Sequence, residues 1–153
     1  DLKNIRRLFL LALPLIATFL VFRGLESPVL IAKSPPAEVK SVAKLAEIAG
    51  SDLVFTSGTG VFWLNAFYNT PQVRGGRDEV SINSRWLPLS YIIREGTDEK
   101  TISQSLVDLD VGYVLVNSDS SPDYYHDFKN LYLWHTIGKV VWQGQGDTIH
   151  EYK

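Results

Sequence analysis

Two stretches of this chain bring together residue types that could do chemistry. The first is Ser57-Gly58-Thr59-Gly60, a glycine-rich turn directly after the apolar run from Asp52 to Thr56. Backbone N–H groups exposed by such a turn can hold an anion, and ligands of α/β sheets gather at the carboxyl ends of strands. Glycines after a strand also serve simply to turn the chain, and this plainer reading stands first. The second stretch runs from Asn69 to Arg85, where Arg74, Arg77, Asp78, Glu79, Asn83 and Arg85 surround the pair Gly75-Gly76. Guanidinium forks and carboxylates gathered by flexible backbone are what a phosphate or a sugar would need. A solvated loop with locally paired charges is the competing reading. The expected ligand site therefore comprises Ser57, Gly58, Thr59, Gly60, Arg74, Arg77, Asp78, Asn83 and Arg85, with Trp63, Tyr68 and Trp86 close enough to the arginines to stack on a sugar.

Catalytic constellations are thin by comparison. The three histidines, His126, His135 and His150, fall on different elements, and no serine occupies a nucleophile-elbow pattern. No HxxxH or HxxE spacing offers a zinc site. His126 with Asp123 and Asp127 comes nearest to one and reads as helix surface. No catalytic residue, metal or cofactor is expected.

The elements that position these residues follow from periodicity and capping. Ser34-Pro35-Pro36 reads as a helix start; Val39, Val42, Ala43, Ala46 and Ala49 then recur at helical spacing, and Gly50 stops the helix. Val61 to Tyr68 predicts a short aromatic helix with Asn65 facing inward, and Val73 ends a short second strand. Trp86 to Arg94 reads as a short helix or an interfacial strip. Thr97 caps a helix to about Leu109, whose Ile102, Leu106 and Leu109 form one apolar face. The clearest buried strand is Tyr113 to Val116. Ser121-Pro122 opens a further expected helix to about Asn130, with Tyr124, Tyr125 and Phe128 packed inward. Two alternating runs around Gly144 to Asp147 predict a β-hairpin at the sheet edge.

Upstream, Leu8 to Phe22 is an apolar run with Lys3, Arg6 and Arg7 before it and Arg23 after it. A bilayer core about 30 Å thick needs roughly 20 apolar helical residues. The run reaches that length if Ile5 and Leu25 are included and the arginines snorkel to the interfaces. A cleavable signal peptide fits poorly because no small-x-small site follows, and a soluble core helix fits poorly because the run lacks a polar face. The basic excess on the N-terminal side places Asp1 in the cytoplasm and the rest outside. The chain begins with Asp and contains no Met, so either its N-terminus was processed or it continues something longer, with Leu8 to Phe22 as a last span.

Beyond the run, one domain is expected. From Glu26 onward there are 11 Lys and Arg against 16 Asp and Glu, an acidic balance that disfavours nucleic acid. With no Cys, disulfides and thiolate metal sites are excluded. The expected fold is α/β: a transmembrane helix over residues 1–25, a linker over 26–34, and over 35–153 an extracytoplasmic Rossmann-like three-layer domain ending in a β-hairpin.

The order Tyr113-Val114-Leu115-Val116-Asn117, then Tyr124-Tyr125-His126-Asp127-Phe128, then Val140-Val141-Trp142 with Ile149-His150-Glu151-Tyr152 resembles the C-terminal extracytoplasmic domain of multi-span membrane proteins. These are the archaeal membrane proteins related to 6-pyruvoyl-tetrahydropterin synthase and, more broadly, glycosyltransferases of the GT-C type. The stretch Asn69-Thr70-Pro71-Gln72-Val73-Arg74-Gly75-Gly76 is similar to a loop of that family. The acidic catalytic residue of GT-C enzymes sits in an early loop that this chain does not contain. The resemblance therefore implies an accessory or substrate-recognition domain acting on a glycan or a phosphorylated lipid-linked sugar. Its implied partners are membrane lipid, other membrane subunits or an upstream part of the same protein. The alternative is a structural assembly subunit packed through its N-terminal helix.

Overall fold

The structure, a computed structural model, describes residues 2–25, 35–74 and 84–153. The chain divides into two compact units, Asp1–Pro35 and Pro36–Lys153. The first is one helix, α1 (Leu2–Leu25), which contains Pro14. The Thr18 hydroxyl donates to the Pro14 carbonyl at 2.8 Å, a bond back along the helix to the residue four before it. Side chains of α1 are described from Ala12 to Arg23. Leu13, Leu15, Ile16, Phe19, Leu20, Val21 and Phe22 are all 57–71% exposed, so the apolar surface encircles the helix. Among the described residues, no helix is long and apolar enough to cross a membrane.

The second unit is a mixed α/β fold. In chain order it comprises α2 (Ala37–Ala49), β1 (Val54–Phe55), α3 (Gly60–Phe67), α4 (Trp86–Glu95), α5 (Glu99–Asp108), β2 (Tyr113–Asn117), a 3-10 helix (Leu131–His135), β3 (Lys139–Gly144) and β4 (Asp147–Glu151). The four strands form one sheet in the order β1-β2-β4-β3. Only β1 and β2 run parallel; β4 is antiparallel to both of its neighbours. The Rossmann-like parallel arrangement is thus confined to one strand pair, because the last two strands form a hairpin that enters the sheet as a unit.

Alternation along the strands divides the core. Phe55, Val114 and Val116 join Trp86 and Ile93 of α4 and Ile102 and Leu106 of α5. Val54, Leu115 and Ile149 join Val42, Leu45 and Ala49 of α2 and Leu64 of α3. A strand's side chains alternate between its two faces, so each face of the sheet has its own helical cover.

Several elements follow the sequence. Helix α2 buries Val39, Val42, Leu45 and Ala49, and Gly50 closes it at φ +57° with its N–H on the Ala46 carbonyl. The hairpin turns through Gln145-Gly146, with φ +56° and +80°. Positive φ at both central residues of a two-residue loop is the type I′ arrangement, whose twist matches that of paired strands.

Others do not. Residues 121–130 form no helix. The Ser121 hydroxyl accepts the Asp123 N–H at 3.1 Å and the Asp123 carboxylate accepts the Tyr125 N–H at 2.9 Å, local bonds that compete with a helical ladder. Phe128 is buried as expected, but Tyr124 and Tyr125 are exposed. The cap of α5 is Asp98, which accepts from the Thr101 N–H at 2.8 Å, in place of Thr97. Asn65 faces outward and accepts from the Gln72 amide at 2.7 Å. The expected second strand is reduced to a single parallel bridge between Gln72 and Val54. Ser34, the expected cap of α2, lies outside the described residues, as does the whole of the expected linker over 26–34.

Candidate functional site

The turn after β1 is built around a carboxylate. Thr56 and Ser57 are buried, Gly58 takes φ +64°, and Gly60 begins α3. Asp123, only 4% exposed, accepts the Thr59 N–H at 3.1 Å and the Thr59 hydroxyl at 2.8 Å. A Cβ on residue 58 would stand 2.8 Å from the same carboxylate, so glycine is required there by both φ and space. Beside it, the Ser57 hydroxyl donates to Asp127, which also receives Arg94 Nη1 at 3.3 Å. Arg94 is fixed in turn by Nε donating to the Ser90 carbonyl at 3.2 Å.

The chemical consequence concerns anions. The Thr59 N–H, the donor that such a turn would offer to a phosphate, is spent on an internal carboxylate. Asp123 and Asp127 face the turn against one guanidinium, which biases the local field against a second anion. The Ser57 hydroxyl has a carboxylate partner, whereas the nearest histidine in sequence, His126, is held by its Nε2 at 3.3 Å from the Ser121 carbonyl. A Ser-His pair is not assembled here. Among the described residues no group of three or more His, Asp or Glu could hold a metal ion.

The same end of the sheet carries a second polar group. Asn117, the last residue of β2, donates from Nδ2 to Asp147 at 3.1 Å and to the Ser121 hydroxyl at 3.4 Å. Asn117 Oδ1 and Thr56 Oγ1 are buried and accept no hydrogen bond. The carboxyl ends of the parallel pair are therefore polar and closed, held by contacts between segments about sixty to seventy residues apart.

Of the expected site residues, Ser57, Gly58, Thr59 and Gly60 form this turn. Arg74 is carried to the same end by register. The parallel bridge pairs Gln72 with Val54, so Arg74 stands two residues beyond the bridge as Thr56 does, and the Val73 N–H donates to the Val54 carbonyl at 3.0 Å. Arg85 is exposed just before α4. Arg77, Asp78 and Asn83 lie outside the described residues. Trp86 belongs to the core, its ring centroid 5.4 Å from that of Phe55, and Trp63 stacks on Phe67 at 5.8 Å. Asp123, Asp127 and Arg94 were not among the expected site residues. The expectation of a helix surface for Asp123 and Asp127 does not hold, since the segment forms no helix and Asp123 is buried; the sequence feature that points to Asp123 is Ser121-Pro122-Asp123, whose types suit a side-chain-bonded turn. No protein-family model, no curated protein and no solved structure matches this chain.

Proposed function

We propose that this chain is a membrane-held recognition domain that presents a glycan or a phosphorylated lipid-linked sugar to a glycosyltransferase-like partner, without a catalytic centre of its own. The observation that carries the membrane half is α1, whose large apolar side chains from Leu13 to Phe22 are exposed on every side. Exposed apolar patches larger than a few hundred Å² mark surfaces that are covered by lipid or protein in use. The orientation with the domain outside the cytoplasm is supported by the excess of Lys3, Arg6 and Arg7 before the apolar run over Arg23 after it.

For the ligand half, a phosphate would be met by guanidinium groups, since Asp123 already fills the Ser57 to Gly60 turn. Arg74 and Arg85 flank residues 75–83, and Arg77, Asp78 and Asn83 between them would add a third cation and acceptors for sugar hydroxyls. The test is a titration of the full chain in nanodiscs with a polyprenyl-phosphate sugar. The double variant Arg74→Ala/Arg77→Ala should bind at least tenfold more weakly; equal affinity removes the ligand reading. Recovery of the untreated chain in the soluble fraction after alkaline extraction removes the membrane reading independently.

A further inference from the structure

Helical cover over one face of the sheet is uneven. Above β1 and β2 lie α4 and α5, whereas the cover toward β4 and β3 is the five-residue 3-10 helix. Under that short roof is a cavity of about 310 Å³. Its floor follows from strand register. Val116 pairs with Thr148, which pairs with Gln143, and in the next row of the same face His150 pairs with Val140. Trp134 of the 3-10 helix closes one side and Ser120 stands at an exposed rim.

The lining contains no Lys, Arg, Asp or Glu. A phosphate or carboxylate would find no Lys or Arg there, only the imidazole of His135 at the rim, and a cationic ligand would find no carboxylate. The polar side chains are an amide (Gln143), hydroxyls (Ser118, Ser120, Thr148) and two imidazoles (His135, His150), set against the apolar surfaces of Val116, Val140 and Trp134. His150 is 2% exposed, with Nε2 2.9 Å from the Thr148 hydroxyl and Nδ1 buried without a hydrogen-bond partner. Burial pushes its pKa down, the Ile137 backbone works against that, and His135 adds to the lowering, so the imidazole is neutral at neutral pH. The volume is at the small end of ligand pockets, which run from about 300 to 1,000 Å³.

We propose that this cavity binds an uncharged hydroxylated ring, the size of a single sugar unit, with its apolar face toward Trp134 and Val140 and its hydroxyls toward Gln143, Thr148 and Ser120. The proposal rests on the glycan reading above and gives it a sugar subsite separate from the arginines. Neutral amide and hydroxyl groups exchange bonds with sugar hydroxyls without desolvating a charge, and the apolar floor covers the C–H face of the ring.

The experiment follows the tryptophan indole N–H resonances of the full chain in detergent micelles during titration with glucose, galactose, mannose, N-acetylglucosamine and glucose 1-phosphate. At least one neutral sugar should shift the Trp134 resonance saturably, and glucose 1-phosphate should bind at least tenfold more weakly than the neutral sugars that bind. Gln143→Ala and Ser120→Phe, both at exposed positions, should each weaken the shift tenfold or more while leaving the circular dichroism spectrum intact. Absence of any saturable shift, a shift that survives Ser120→Phe, or equal binding of the phosphorylated sugar overturns the subsite. If the polyprenyl-phosphate sugar then still binds through Arg74 and Arg77, the wider recognition reading stands without it; if it does not, both fall.

Discussion

At the scale of single residues, Asp123 explains why the glycine turn is closed to anions, and it yields a measurable consequence. Its carboxylate gathers the Thr59 N–H, the Thr59 hydroxyl and the Tyr125 N–H. Hydrogen bonds to a charged group contribute about 1.5–3 kcal/mol each, and truncation of a shared acceptor leaves several donors unpaired at once. Asp123→Ala should therefore lower unfolding free energy by about 2–4 kcal/mol in urea titrations. It also empties the cradle, so 10 mM-range phosphate should raise the melting temperature of the variant more than that of the parent chain. Equal shifts would mean that the turn does not hold anions even when vacated. His150 gives a pH-dependent counterpart. Its folded pKa lies below the 6.5 of a free imidazole, so below that value the unfolded chain binds a proton that the folded chain refuses. Stability is full above about pH 6.5 and falls as the pH drops toward the folded pKa. Urea unfolding at about pH 7.5 and about pH 5.5 should show this loss in the parent chain and a smaller loss in His150→Gln, the difference isolating the contribution of His150.

Among the elements, the hairpin shows how far local chemistry carries. The run Lys139 to Trp142, the turn at Gln145-Gly146 and the run Thr148 to Glu151 are all legible because alternation and a glycine turn are encoded within a few residues. Gln145 is nevertheless a poor choice for its φ of +56°, a region that asparagine adopts more readily. Gln145→Asn should raise unfolding free energy by about 0.5–1 kcal/mol, read as a higher urea midpoint at unchanged slope. Helices α2 and α5 were legible for the same reason, each by its 3.6-residue apolar stripe. The segment 121–130 was not. Its spacing of Tyr124, Tyr125 and Phe128 looks helical, but Ser121 and Asp123 capture the N–H groups that a first helical turn would leave open, and Asp123 is drawn to Thr59, 64 residues away. A partnership at that separation leaves no trace in periodicity. The site suffered likewise: the glycines of the turn could be read off the chain, whereas the carboxylate that fills it could not, and the mixed sheet depends on the hairpin adding to β2 antiparallel, which no local pattern states.

On the scale of the whole molecule, the proposed attachment rests on the exposed apolar surface of α1. Seven large apolar side chains exposed between Leu13 and Phe22, at about 1.5–3 kcal/mol each when taken out of water, represent on the order of 10–20 kcal/mol of transfer free energy available to a lipid or protein environment. The 24 residues of the helix extend roughly 36 Å at 1.5 Å per residue, but its apolar run from Leu8 to Phe22 covers only about 22 Å of a hydrocarbon thickness of about 30 Å, and among the described residues no helix is long and apolar enough to cross a membrane. Under the membrane reading proposed above, orientation would follow from charge: Lys3, Arg6 and Arg7 precede the apolar stretch and Arg23 alone follows, which favours the Lys3 side as the cytoplasmic one. The absence of cysteine makes this directly measurable, because a single introduced thiol is the one reactive group in the chain. Tyr124 is 84% exposed and its ring meets only that of Tyr125 among the described ring contacts, which makes Tyr124→Cys a suitable reporter. A membrane-impermeant maleimide added to intact cells should label it to the same extent as it does after lysis, and prior treatment from outside with an impermeant thiol blocker should abolish that labelling. Labelling only after lysis would put the α/β unit on the cytoplasmic side, and with it any ligand would have to come from the cytoplasm rather than from the cell envelope.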